Sequence, residues 1–204
     1  MRTEPILVSR RNMLFAAAAV PAAGLLSSCN TAGAARRRPE HDGTTPHQTE
    51  GPFYRLFSTA RDTLREPGLQ GTELDVTGRV LDKRGRPLAN TLLDFWHCDA
   101  AGVYDVRGYK LRGHQFTDAE GRFKLATIEP GVYPGRTRHI HVKVQPAGDD
   151  TPSTPRQLNL TTQLYFPGDP GNAKDGLFDD ALLMAIDRDG ARLQARFDFV
   201  LDLG

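Results

Sequence analysis

From Glu73 onward, apolar and polar residues alternate along the chain with a period of two. In "ELDVTGRVLD", Leu74, Val76, Gly78 and Val80 share one face, the signature of a half-buried strand. "KRGRPLAN" reads as the turn that follows it, and "TLLDFWHCD" as the next strand. "GRFKLATI" comes after a "TDAEG" turn, and "RHIHVKVQP" and "LTTQLYF" continue the series. The last segment, "ALLMAIDRDGARLQARFDFVL", predicts a hairpin around Asp189-Gly190. No long segment has a helical period, and short helical turns are expected only at Asn159–Leu160 and Asp175–Leu183. The pattern predicts an all-β fold, one antiparallel β-sandwich domain over residues 49–204.

Residues 1–48 fall outside this pattern. "SRRNMLF" precedes "AAAAVPAAGLL", an apolar run from Ala16 to Leu26 that is too short to span a bilayer but suits an export signal. Arg10 and Arg11 read as a twin-arginine address, so residues 1–35 are expected to direct the protein to the periplasm or cell envelope. "LSSC" at Leu26–Cys29 resembles a lipobox, which offers a lipid anchor through Cys29, whereas "AGA" at Ala32–Ala34 offers ordinary cleavage. Residues 36–48 are polar and rich in small residues, and read as a flexible linker in which His41 and His47 are solvated.

Composition narrows the partners. A formal net charge of +1 over 204 residues gives no basic footprint for nucleic acid. Gly 20 and Pro 14 suit turn-rich β structure. The cysteines are Cys29 and Cys98, and processing at Cys29 leaves Cys98 alone, so no disulfide framework is expected.

The candidate chemistry centres on "VYPGRTRHIHVKV". In a strand, His139 and His141 point to one face, and Ile140, Val142 and Val144 to the other. As a bare pair they are a weak metal signal and fit an exposed strand face better, because a metal wants three or four ligands. No Asp or Glu clusters with them in sequence. Tyr133 lies six residues before His139 in a Gly/Pro turn, and Tyr104 ends "WHCDAAGVYD". Each tyrosine taken alone reads as a core-edge aromatic rather than a ligand.

"LLDFWHCDAAGVYD", "FTDAEGRFKLATIEPGVYPGRTRHIHVKV" and "LTTQLYFPGDP", with "TEGPFY" before them, resemble the intradiol ring-cleavage dioxygenases, which include catechol 1,2-dioxygenase and protocatechuate 3,4-dioxygenase. The resemblance runs from about Thr49 to Asp169, with the motifs in the family's order. It implies a non-haem Fe(III) cofactor held by Tyr104, Tyr133, His139 and His141. It also implies a catecholic substrate cleaved with O2 between its hydroxyl-bearing carbons, giving a cis,cis-muconate-type diacid. Two phenolates and two imidazoles form a hard, anionic donor set suited to ferric iron. By the same resemblance Tyr133 is the ligand that substrate displaces, and Arg136 stands over the substrate ring as a fixed positive charge. Gln163 bonds a substrate oxygen or serves the sheet. Gly51, Pro52 and Phe53 border the substrate pocket or form a strand-entry turn.

The sequence departs from the family in three places. "R-T-R-H" replaces "R-P-A-H", and the alternation takes Arg138 off the ligand face, to be solvated or paired. The interval from Tyr133 to His139 is short, which alters the pocket roof. An export signal stands where catechol-type enzymes have a helical dimerisation segment, so homo-oligomerisation is left open. His97 and His114 match no ligand position and read as structural or rim residues. Arg107, Lys110 and Arg112 are candidate cations for a carboxylated catechol. Two other readings remain: a metal-free transthyretin-like or immunoglobulin-like binding module, and a zinc hydrolase built on the histidine pair.

Overall fold

A computed structural model describes residues 42–147 and 160–204. The export signal, Cys29, His41 and the first part of the linker lie outside the described residues. So does Asn159, whose expected helical partner Leu160 instead opens a strand.

The strands are β1 (Glu73–Asp82), β2 (Leu92–Trp96), β3 (Arg112–Phe116), β4 (Arg122–Ile128), β5 (His139–Gln145), β6 (Leu160–Tyr165), β7 (Ala185–Asp189), β8 (Arg192–Arg196) and β9 (Phe199–Leu201). Each expected strand is present. β3 is an addition, because "RGHQF" carries no apolar alternation that would announce it. Of the expected turn over Asp175–Leu183, one 3-10 turn forms at Asp180–Leu182, with the Asp179 carboxylate accepting from the Ala181 N–H.

Two sheets result, ordered β4-β1-β8-β7 with β9 also on β1, and β3-β2-β5-β6. Leu74, Val76 and Val80 of β1 and Leu125 of β4 meet Leu93, Phe95, Ile140, Val142, Val144 and Leu164 of the other sheet in one buried core. That is the expected sandwich.

Its connections are not wholly antiparallel. The final segment makes the expected β7–β8 hairpin, pairing Asp189 with Arg192, but β8 and then β9 run parallel to β1. The switch occurs at Gly78, where a Cβ would lie 1.7 Å from the Phe197 carbonyl oxygen. Phe197 N–H donates to Thr77 O, and Arg79 N–H to the Asp198 carboxylate. Only a glycine lets the chain cross β1 there.

The linker is shorter than its composition suggests. The Thr45 N–H donates to Val200 O at 2.9 Å, the Gln48 N–H to Thr161 O at 2.7 Å, and Thr162 Oγ1 to Pro46 O. The polar segment supplies backbone partners to β9 and to the edge strand β6, which is a stronger demand than its flexibility. His47 is exposed.

Candidate metal centre and substrate site

The strand register builds the site floor. On β5, Ile140, Val142 and Val144 enter the core, so His139 and His141 stand on the outer face of their sheet. There His141 lies opposite Trp96 of β2 and Gln163 of β6, and His139 opposite Tyr165. Arg112 of β3 pairs with Trp96, so Arg112, Trp96, His141 and Gln163 form one row across four strands. Loops roof this face, leaving each histidine only 3% exposed.

The loop after β2 is wound around Asp99, whose carboxylate accepts from the Ala101 and Val103 N–H groups, an Asx turn. It brings Tyr104 back over the sheet, with its phenol oxygen 3.2 Å from His139 Nε2. His139 Nε2 is in turn 3.2 Å from His141 Nε2. Three donors thus converge. The Thr137 carbonyl lies 2.7 Å from His139 Nδ1; a carbonyl can only accept, so Nδ1 carries the proton and Nε2 presents its lone pair. Trp96 lies parallel to His141, with ring centroids 4.8 Å apart.

Tyr133 sits in a turn closed by Arg136 N–H to Tyr133 O. Its ring meets Tyr104 edge-on at 5.7 Å and Phe53 at 5.4 Å. Phe53 stacks on Tyr104 at 4.3 Å. Gly51, with φ +70°, passes so close that a Cβ would lie 3.4 Å from His141 Cε1. Pro52 is exposed beside them. The segment is tied down by Gln163 Nε2 to Thr49 O, Tyr54 Oη to Asp94, and the Lys143–Glu50 ion pair.

Arg136 is anchored from two sides. Its Nε donates to Asp175 at 2.8 Å, and its Nη2 to Gln163 Oε1 at 2.6 Å and to Tyr165 Oη at 3.3 Å. Gln163 therefore holds the Thr49 segment with its amide nitrogen and Arg136 with its amide oxygen. Asp175 also accepts from the Thr137 N–H. Sequence reasoning missed Asp175 as a partner of Arg136, because it lies 39 residues away at the start of a segment read only as a short helical turn.

The departures from the family pattern find partners in the same loop. Thr137 Oγ1 donates to Asn172, and Arg138 pairs with Asp169 at 2.7 Å. Arg138 is paired, as the alternation allowed. His97 is structural: it is buried between the Cys98 carbonyl and Thr127 Oγ1, each at 2.7 Å. His114 bonds Ser58. Arg112 is not available to a substrate carboxylate, because it is buried and donates to the carbonyls of Phe53 and Asp105. Arg107 and Lys110 are exposed.

Burial sets the protonation of the cluster. It lowers His139 to about 4, with the Arg136 charge adding to it, although the Thr137 carbonyl pulls the other way. It holds His141 well below its ordinary value, and the neighbouring His139 and Arg136 charges reinforce this. Both imidazoles are therefore neutral at neutral pH, as metal donors must be. Burial raises the Tyr104 phenol, so it keeps its proton until a cation takes its place. Burial also pushes the Cys98 thiol to about 11, leaving it unreactive. Burial alone would raise Asp175, but the Leu177 and Thr137 N–H groups and Arg136 hold it below the usual carboxylate value.

The donor set discriminates between metals. Among the described residues no group of three His, Cys, Asp or Glu is placed to hold an ion, so the trio that zinc hydrolases use is not formed here. The third donor beside the histidines is a phenol. Phenolate and imidazole, with a second phenol ring alongside, suit a hard trivalent ion such as ferric iron.

Known proteins share sequence and fold with this chain. A family model described as a dioxygenase matches residues 50–203. The protocatechuate 3,4-dioxygenase beta chain of Burkholderia cepacia is 38% identical over 159 residues, covering 64% of this chain and 65% of that one. Catechol 1,2-dioxygenase 2 of Acinetobacter lwoffii is 30% identical over 63% of this chain and 54% of its own length. The chain thus spans between about half and two thirds of these curated relatives. The dioxygenase domain of a dioxygenase–carbohydrate-binding fusion from Streptomyces sp. SirexAA-E superposes with TM-score 0.72 at 50% identity, covering 79% of this chain and 99% of that domain. 3-Chlorocatechol 1,2-dioxygenase from Rhodococcus opacus 1CP follows with TM-score 0.68 at 27% identity, covering 78% and 72%. The chain belongs to the dioxygenase family whose model it matches over residues 50–203.

Proposed function

We propose that this chain is a non-haem ferric dioxygenase. In this reading it opens a catecholic ring between the two hydroxyl-bearing carbons and yields a cis,cis-muconate-type diacid. The observation that carries this reading is the convergence of Tyr104 Oη and His141 Nε2 on His139 Nε2, each at 3.2 Å, beside the Tyr133 ring.

Tyr104, Tyr133, His139 and His141 would hold the ion. Bound there, ferric iron supplies Lewis acidity and a template for the catechol oxygens and O2. The remaining work falls to the chain. Tyr133 Oη, at the half-buried rim, would be a phenolate while it holds the ion and could then take up a catechol hydroxyl proton as substrate enters, becoming a neutral phenol. Arg136, fixed by Asp175 and Gln163, places a permanent positive charge beside the ring as it gains anionic character. Gly51, at φ +70°, turns the chain over His141, and Phe53 with Pro52 walls the pocket and limits water. Arg10, Arg11 and the apolar run after them support export through the twin-arginine route to the periplasm or cell envelope, with Cys29 as an optional lipid anchor.

The test is turnover under labelled oxygen with catechol, protocatechuate and hydroxyquinol as substrates. Both atoms of one O2 should appear in a ring-opened diacid from at least one of them. A product containing one labelled atom, or a ring opened outside the diol, would refute the assignment.

A further inference from the structure

Arg112 is among the largest side chains buried in the molecule, 2% exposed, yet its guanidinium is spent on main-chain carbonyls rather than on a carboxylate. Nη1 donates to Phe53 O and Nη2 to Asp105 O at 3.0 Å, while Nε is buried without a partner. These carbonyls belong to the two loops that flank Tyr104: Phe53 stacks on the Tyr104 ring at 4.3 Å, and Asp105 follows Tyr104 in the chain.

The main chain at Arg112 is itself pinned. Arg61 donates through Nε and Nη2 to Arg112 O, and through Nη2 to Tyr109 O. Leu111, buried and non-glycine, sits in the left-handed region at φ 55°, a costly conformation kept where the surroundings over-determine it. That bend delivers Arg112 into β3 opposite Trp96, on the face of the sheet that carries the histidines.

We propose that Arg112 is a positioning residue for Tyr104. Its two-pronged donation joins the Phe53 loop to the Asp105 loop and so fixes the angle and depth at which the Tyr104 phenol meets His139. A planar fork with two parallel donors does this; a single-point cation does not. The inference rests on the ferric reading above.

The experiment compares iron-loaded wild type with Arg112→Lys, which keeps the charge and loses the fork, and Arg112→Gln, which loses both. It reads the tyrosinate-to-ferric absorption band, the iron retained against a chelator, and kcat separately from KM. Both variants should shift the band and lose iron faster, with kcat falling about 10- to 100-fold and KM little changed. A wild-type band and kcat in Arg112→Lys would show that charge alone matters and overturn the proposal. Unshifted bands in both variants would overturn it as well.

If Arg112→Gln does not fold, Phe53→Leu takes its place. It should shift the band in the same direction as Arg112→Lys, and the double variant should shift it no further. Fully additive shifts would contradict a route through Phe53. Failure of the ferric reading is distinguishable, because the wild type itself would then lack the band.

Discussion

Trp96 lies flat against His141, their planes 4° from parallel and their centroids 4.8 Å apart. The two histidines are aimed by different means. His139 is held by its Nδ1–H to the Thr137 carbonyl, whereas His141 Nδ1 is buried with no hydrogen-bond partner. Stacking between cross-strand neighbours is therefore what orients His141. Replacing Trp96 by Leu should free the ring and weaken iron retention by about 10- to 100-fold, the usual cost of losing a group that orients a ligand. Chelator competition on purified Trp96→Leu measures this; retention equal to wild type would show that the stack does not aim the ligand.

Asp175 controls Arg136. Asp175→Asn keeps the shape but removes the charge that holds the guanidinium and the Thr137 N–H. Loss of these charge-assisted bonds should cost about 1.5–3 kcal/mol of stability, and kcat/KM should fall because Arg136 is no longer fixed. Denaturant unfolding and steady-state kinetics check both parts. Unchanged kinetics would mean that Gln163 and Tyr165 suffice to hold Arg136.

Acid should destabilise the metal-free protein through its buried histidines. Burial lowers His97 from an ordinary 6.5 to about 4. Between those values the unfolded chain binds a proton that the folded chain refuses. The stability is thus fully present above pH 6.5 and drains away as pH falls towards 4, with a slope of up to about 1.4 kcal/mol per pH unit for one such group. His139 adds a loss of the same sign in the absence of metal. Denaturant midpoints at several pH values should decline through this window, and the decline should be shallower in His97→Gln. A flat profile would show that these imidazoles are not buried in neutral form.

Gly51 is constrained by its backbone as well as by its neighbour. Gly51→Ala places a Cβ at ordinary contact distance from His141, so the cost comes chiefly from φ +70°, about 1 kcal/mol. The loop should relax by moving away from His141, and KM should rise. Parallel measurement of Tm and KM tests this, and a change in Tm without a change in KM would separate the turn from the pocket.

Much of this architecture was legible in the residues, for identifiable reasons. The period-two runs of β1, β4 and β5 send one apolar face into the core, so alternation reveals them and places His139 beside His141. β3 was not legible, because Arg112, Gly113 and His114 form a strand through pairing with β2 rather than through an apolar face. The parallel return of β8 and β9 depends on the Gly78 crossing, a long-range contact that local pattern does not encode. Tyr104 and Tyr133 entered the site by family resemblance. Asp175 and the roles of Trp96 and Arg112 needed the sheet register and the loops above it. Residues 42–48 read as linker because their backbone bonds and the polar partners of Asp42, Thr45 and Gln48 leave no hydrophobic trace.

The central claim is a ferric site with tyrosinate ligands, and visible absorption during ferric titration of the metal-free protein tests it most directly. One equivalent of iron should produce a red tyrosinate-to-ferric band. That band should weaken and shift in Tyr133→Phe and in Tyr104→Phe, and catechol should perturb it in the wild type. An iron-loaded protein without the band, or one whose band is untouched by both substitutions, would contradict the assignment.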